Sequence, residues 1–199
     1  MAGPAGRLEC ALDAPDGSAR GVALVCHPHP QFGGTMDNKV VQTLARAFVQ
    51  LGWRSVRFNF RGVGASEGRW DEGRGEVDDA LAVLAAYRTV ELAQPFLLAG
   101  FSFGGYVAAA AAARLPTSDV PERLVLVGAS TEKQAVPPVP AGTVVIHGES
   151  DDVVPLAATL DWARPQSLPV IVFPGVGHFF HGKLSLLRSV VVQQLQVAH

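Results

Sequence analysis

Leu97-Leu98-Ala99-Gly100-Phe101-Ser102-Phe103-Gly104-Gly105-Tyr106 carries three local signals in succession. The apolar run from Phe96 to Ala99 reads as a buried strand. From Tyr106 to Leu115 the chain is rich in alanine, the best helix former. Between them lies Gly-Phe-Ser-Phe-Gly. A strand, a sharp turn and a helix, with Gly-x-Ser-x-Gly across the turn, is the setting that lifts a serine hydroxyl above a sheet edge as a nucleophile. Gly100 and Gly104 suit positions where neighbouring backbone comes too close for a Cβ. Glycine accounts for 21 of 199 residues, so the pattern alone would weigh little. The flanking strand and helix give it its meaning.

The whole chain sets bounds on this reading. Its 199 residues are expected to form one domain, 1–199, able to bury a substantial core. Charged residues make up 17% of the chain, against roughly 25% in an average globular protein, which fits a sheet buried on both faces. The balance of 16 basic and 18 acidic residues gives a net charge of −2, with no sustained basic block. Neither a nucleic acid nor a membrane is therefore expected as a partner. Met1 to Arg7 lacks the apolar core of a signal peptide, and the alanine-rich stretch Val107–Ala113 is far too short to cross a bilayer. Without an export signal, Cys10 and Cys26 are expected as reduced, buried thiols, and the location as cytoplasmic.

Outward from the turn, strands and helices alternate. Arg7–Leu12 reads as a first strand and Pro15-Asp16-Gly17 as a turn, so that pairing with Val22–Cys26 would make an antiparallel edge. His27-Pro-His-Pro-Gln-Phe-Gly-Gly34 has too many prolines and glycines for helix or strand. Asn38 can cap a helix to about Leu51, followed by a strand over Arg54–Phe60 and a glycine-rich loop from Arg61 to Gly75. A helix from Glu76 to about Val90 precedes the central strand. Further strands are expected at Arg123–Val127, Thr143–Ile146 and Val170–Phe173, with helices at about Leu156–Ala163 and Lys183–Val197. The class is α/β, with a mostly parallel sheet of about seven strands and helices on both faces.

Serine is a poor nucleophile at neutral pH and needs a base to take its proton and an acid to orient that base. Such groups belong at the carboxyl ends of the strands. There the chain offers His147-Gly-Glu-Ser-Asp151-Asp152-Val-Val-Pro155 and, later, Pro174-Gly-Val-Gly-His178-Phe-Phe-His181. An oxyanion hole needs two donors aimed at the developing charge. The backbone N–H of Phe103, directly after the serine, is the first. The second belongs to the loop after Val22–Cys26, where Pro28 and Pro30 have no N–H to give, leaving His29 nearest and Gln31 behind it.

Together these segments resemble the α/β-hydrolase superfamily, whose triad follows the order Ser, Asp, His. More narrowly, His27-Pro-His-Pro-Gln-Phe-Gly-Gly-Thr-Met-Asp-Asn-Lys39 and Phe58-Asn-Phe-Arg-Gly-Val-Gly-Ala-Ser-Glu-Gly68 are similar to small, lidless predicted serine hydrolases related to the dienelactone hydrolases. Those have a cysteine nucleophile; this chain has serine. The resemblance runs from about Arg20 onward. It implies Asp151 as the acid, with Asp152 as the alternative, and His178 as the base. Either aspartate also suits a helix cap, and His147 and His181 lie close by; His147 also reads as a core histidine. Only 15 residues separate Val127 from Thr143, where many relatives insert a lid, so an α/β-hydrolase fold with no lid domain and an open site is expected.

Rival sites are weaker. His27-x-His29 and His178-x-x-His181 have no supporting cysteine or His-Glu-x-x-His helix, so no metal is expected. Gly62-Val-Gly64 lacks the third glycine of a dinucleotide loop, and its Arg61 is expected in an ion pair. The resulting expectation is a cofactor-free serine hydrolase acting on a small-molecule ester or acyl substrate through an acyl-enzyme. Thioesterase or peptidase chemistry on the same triad is the alternative, as is a non-catalytic interaction domain of the same fold. The oligomeric state is left open.

Overall fold

A computed structural model of the chain describes residues 1–88 and 94–196. Its centre is β4 (Val22–Cys26), whose five side chains are all buried. A strand with no solvent-facing side must be flanked by strands and covered on both faces. Its neighbours are β5 (Arg54–Phe58) and β6 (Phe96–Phe101), both parallel to it. The sheet continues in parallel through β7 (Arg123–Val127), β8 (Val144–Gly148) and β9 (Val170–Phe173). At the far edge β3 (Cys10–Asp13) runs antiparallel to β5, completing a seven-stranded sheet ordered β3-β5-β4-β6-β7-β8-β9. The α/β class, the sheet and its flanking helices agree with expectation.

The first strand does not. The stretch Arg7–Leu12 is divided between β2 (Gly6–Arg7), which forms a small ribbon with β1 (Ala2–Gly3), and β3. The expected hairpin with Val22–Cys26 does not form, because parallel β5 and β6 take both edges of β4. Side chains select the pairing: Arg57 donates from Nε to Asp13 at 3.1 Å, and from Nη1 to the Met36 carbonyl at 3.0 Å and to Asp37 at 3.2 Å.

Strand side chains alternate between two buried clusters. Val22, Leu24, Phe96 and Leu98 face one, which packs on α2 (Arg74–Tyr87) and α3 (Phe103–Arg114). Ala23, Val25, Leu97, Ala99 and Phe101 face the other, closed by α1 (Lys39–Gln50) and α5 (Leu184–Gln196). Each large apolar side chain moved out of water contributes about 1.5–3 kcal/mol, so these faces hold the sheet in place. Asn38 caps α1 as expected, its Oδ1 accepting from Val40 N–H at 2.9 Å. A shorter helix, α4 (Leu156–Ala163), lies beyond β8. The expected helix ends at Val90 and Val197 lie outside the described residues.

Glu76, fully buried at the start of α2, accepts from the Gly73 and Asp71 amides at 2.8 and 3.0 Å. Arg61 grips Asp79 with two side-chain bonds of 3.0 and 2.7 Å. The expected ion pair is thus a buried bidentate one, tying the glycine-rich loop to α2. No described helix is long and apolar enough to cross a membrane.

Candidate active site

Ser102 stands between the last residue of β6 and the first of α3, with φ 56° and ψ −121°. Positive φ is costly for a side-chain-bearing residue, on the order of 1–3 kcal/mol. The strain is held by three backbone bonds: Ser102 N–H donates to the Val127 carbonyl at 2.9 Å, and its carbonyl accepts from Gly105 at 2.9 Å and Ser130 at 3.2 Å. The glycines fit as the sequence implied. A Cβ on Gly100 would lie 1.9 Å from the Gly104 carbonyl oxygen, and one on Gly104 would lie 2.2 Å from that of Cys26. The turn exists because two backbones meet where only hydrogen fits.

Asp151 follows β8 and His178 follows β9, and both loops fold back over Ser102. His178 Nε2 lies 3.0 Å from Ser102 Oγ, and His178 Nδ1 lies 2.7 Å from Asp151 Oδ2. An ionised carboxylate only accepts, so Nδ1 carries the proton and Nε2 is free to accept from the serine hydroxyl. Of the two neighbouring aspartates, Asp151 is the one that faces His178. Its second oxygen accepts from the Val153 and Val154 amides at 2.9 and 2.8 Å, so one residue both shapes its loop and faces the histidine. Asp152 is exposed. Burial pushes the Asp151 carboxyl up, but the bonds from His178, Val154 and Val153 outweigh it and hold the group below the usual carboxylate range.

The other histidines separate by environment. His147 is fully buried, donating from Nε2 to the Val154 carbonyl at 2.9 Å while Thr159 donates to its Nδ1 at 3.2 Å. It is the satisfied core histidine that the sequence allowed. Burial lowers its pKa, so it stays neutral. His181 is exposed beyond the site. Of the two phenylalanines in the loop that carries it, only Phe180 is buried, and Phe179 is 44% exposed beside His178.

His27 is a residue whose role sequence reasoning missed. Its Nε2 accepts from Phe60 N–H at 3.0 Å and its Nδ1 donates to the Pro28 carbonyl at 2.6 Å, pinning the end of β4 to the end of β5. Burial drives its pKa down to about 4. With both nitrogens engaged inside the protein, His27 and His29 do not offer a metal a pair of free imidazoles. The clue was its position at the end of a wholly apolar strand.

His29 heads a turn folded by its own groups: its ring accepts from Gln31 N–H at 3.2 Å, and its carbonyl accepts from Phe32 and Gly34 at 3.1 and 3.0 Å. Its ring packs against Trp70 and Phe103, with centroids 4.5 and 5.0 Å away. The two residues named for the oxyanion donors therefore meet beside Ser102. As the first residue of α3, Phe103 has an amide with no intrahelical acceptor. A cavity of about 370 Å³ opens here, walled by His29, Phe32, Ser102, Lys133, Val153, His178 and Phe179 among others. Hollows of about 460 and 540 Å³ elsewhere contain no histidine.

Comparison with known proteins identifies the family to which this fold belongs. A hydrolase family model described as serine aminopeptidase, S33, matches residues 17–144. The chain belongs to this family of α/β-hydrolases. Within that superfamily, an α/β serine hydrolase homologue from Coxiella burnetii is 40% identical, with a TM-score of 0.86 over 98% of this chain and 95% of that one. An α/β serine hydrolase without a lid from Xanthomonas campestris is 38% identical, with a TM-score of 0.87 over 98% and 91%. An uncharacterized protein of Rickettsia prowazekii is 43% identical over 115 residues, 57% of this chain; the match spans about half of that relative, 48% of its length. The lidless α/β-hydrolase fold expected from the short Val127–Thr143 connection is the one observed.

Proposed function

We propose that this chain is a serine hydrolase that cleaves carboxylic esters through an acyl-enzyme on Ser102. The observation that carries the reading is the unbroken line from Asp151 through His178 to Ser102, with links of 2.7 and 3.0 Å. Ser102 Oγ attacks the ester carbonyl as its proton passes to His178 Nε2. Asp151 holds the Nδ1 proton and balances the imidazolium charge. The Phe103 and His29 amides stabilise the oxyanion. The tetrahedral adduct expels the alkoxide, which leaves as the alcohol with the proton from Nε2. Water then gives a proton to the same nitrogen and attacks the acyl group, and that proton returns to Ser102 Oγ as the acid departs.

Thioesters and amides would pass through the same steps, and the family description gives peptides some weight. The cavity wall favours esters over amino-terminal peptides. Its charged lining residue is Lys133, with no carboxylate to receive a substrate ammonium group. The free thiols of Cys10 and Cys26 support a reducing, cytoplasmic setting. A purely interacting domain would have no need of a strained serine aligned with a histidine and an aspartate.

The test is labelling with a fluorophosphonate probe, read by intact mass on wild type, Ser102→Ala and His178→Ala. One adduct on wild type and none on either folded variant is the expected result. A folded wild type that neither takes the probe nor hydrolyses a short-chain aryl ester would overturn the proposal.

A further inference from the structure

Among the described residues, eight large apolar side chains stand exposed, and three of them, Phe32, Val153 and Phe179, line the cavity that holds Ser102. Exposed apolar side chains gathered at one cleft mark a place where an apolar partner is bound. On the same wall stands Lys133, the single ammonium group among the lining residues. It makes no ion pair within the described residues. Neither Glu132, next to Lys133 in sequence, nor Asp152, next to Val153, lines the cavity. The charge is felt at the cavity wall, where the pKa of His29 is lowered first by burial and then by Lys133.

Resting on the esterase reading above, we infer that the preferred substrates are esters with an apolar body and a single carboxylate, which Lys133 receives at the cavity wall. One ammonium group with three donors matches one monoanion. A phosphate dianion would call for a second cation, and none lines this cavity. The apolar body would lie against Phe32, Val153 and Phe179, leaving the ester carbonyl over Ser102. The walls and the cation thus select two different parts of one molecule.

The experiment compares matched ester pairs on the full chain at low ionic strength. In one pair the charge is on the acyl side: mono-para-nitrophenyl adipate against para-nitrophenyl hexanoate. In the other it is on the alcohol side: para-acetoxybenzoate against para-acetoxybenzamide. An exposed ion pair predicts that the charged member of at least one pair is favoured by about fivefold in kcat/KM. That ratio should shrink in high salt, fall to about one in Lys133→Ala and invert in Lys133→Glu. A ratio near one for both pairs in wild type, or a preference that survives Lys133→Ala, overturns the carboxylate inference and leaves the hydrolase standing. Absence of both turnover and fluorophosphonate labelling removes the hydrolase reading itself, and this one with it.

Discussion

Asp151 serves two loops with two oxygens, which makes its substitutions informative. In Asp151→Asn the remaining oxygen can still accept from the Val153 and Val154 amides, now at 2.9 and 2.8 Å. The new NH₂ would then face His178 Nδ1 as a donor, forcing the imidazole into the tautomer that cannot accept from Ser102. The expected outcome is a folded protein whose kcat falls on the order of 10⁴-fold. Steady-state kinetics beside an unchanged circular dichroism spectrum would establish it; a loss below tenfold would contradict it. Asp151→Ala, by contrast, removes the loop bonds as well and is expected to lower stability together with activity.

At the scale of elements, α1 depends on its cap. Asn38 Oδ1 satisfies the Val40 amide at 2.9 Å, while the helix packs Val40, Val41, Leu44, Ala47 and Phe48 into the core. Asn38→Ala is expected to cost about 1 kcal/mol, read as a lowered urea midpoint at unchanged slope. A midpoint within error of wild type would show that packing alone fixes the helix start. This helix was legible from sequence because the cap and the apolar spacing are both local signals. So was the turn at Ser102, where glycines bracket the serine between an apolar run and an alanine-rich one. The pairing of β3 was not legible. Which edge a strand joins depends on what already occupies its neighbours, and Arg57 and Asp13 are 44 residues apart. Likewise, nothing local distinguishes Phe179 from Phe180, although one lines the cavity and the other fills the core.

Across the whole molecule, neutral histidines in the interior make stability depend on pH. His27 has a folded pKa of about 4 against an ordinary value of 6.5. The unfolded chain therefore binds a proton that the folded one refuses over that window. Its contribution is fully present above pH 6.5 and is lost as pH falls to about 4, on the order of 3 kcal/mol. His147 and Asp151, both lowered, act with the same sign, Asp151 in the more acidic range. Unfolding free energy from urea titrations should fall steadily from pH 7 to pH 4. His27→Gln, whose amide oxygen can still accept from Phe60 N–H, should flatten that fall. An identical slope in the variant would assign the acid sensitivity elsewhere.

The short connection between β7 and β8, with Pro137, Pro138 and Pro140, divides the chemistry as well as the chain. Ser102, Phe103 and His29 lie before it; Asp151 and His178 lie after it. A break at that exposed stretch would leave one fragment with a nucleophile and no base, and another with a base and nothing to activate. On the proposed mechanism neither fragment would turn over an ester alone, and reassembly across the β7–β8 seam is expected to restore turnover. Ester turnover by such a split pair would make this protein a reporter of proximity, switched on by whatever brings its halves together.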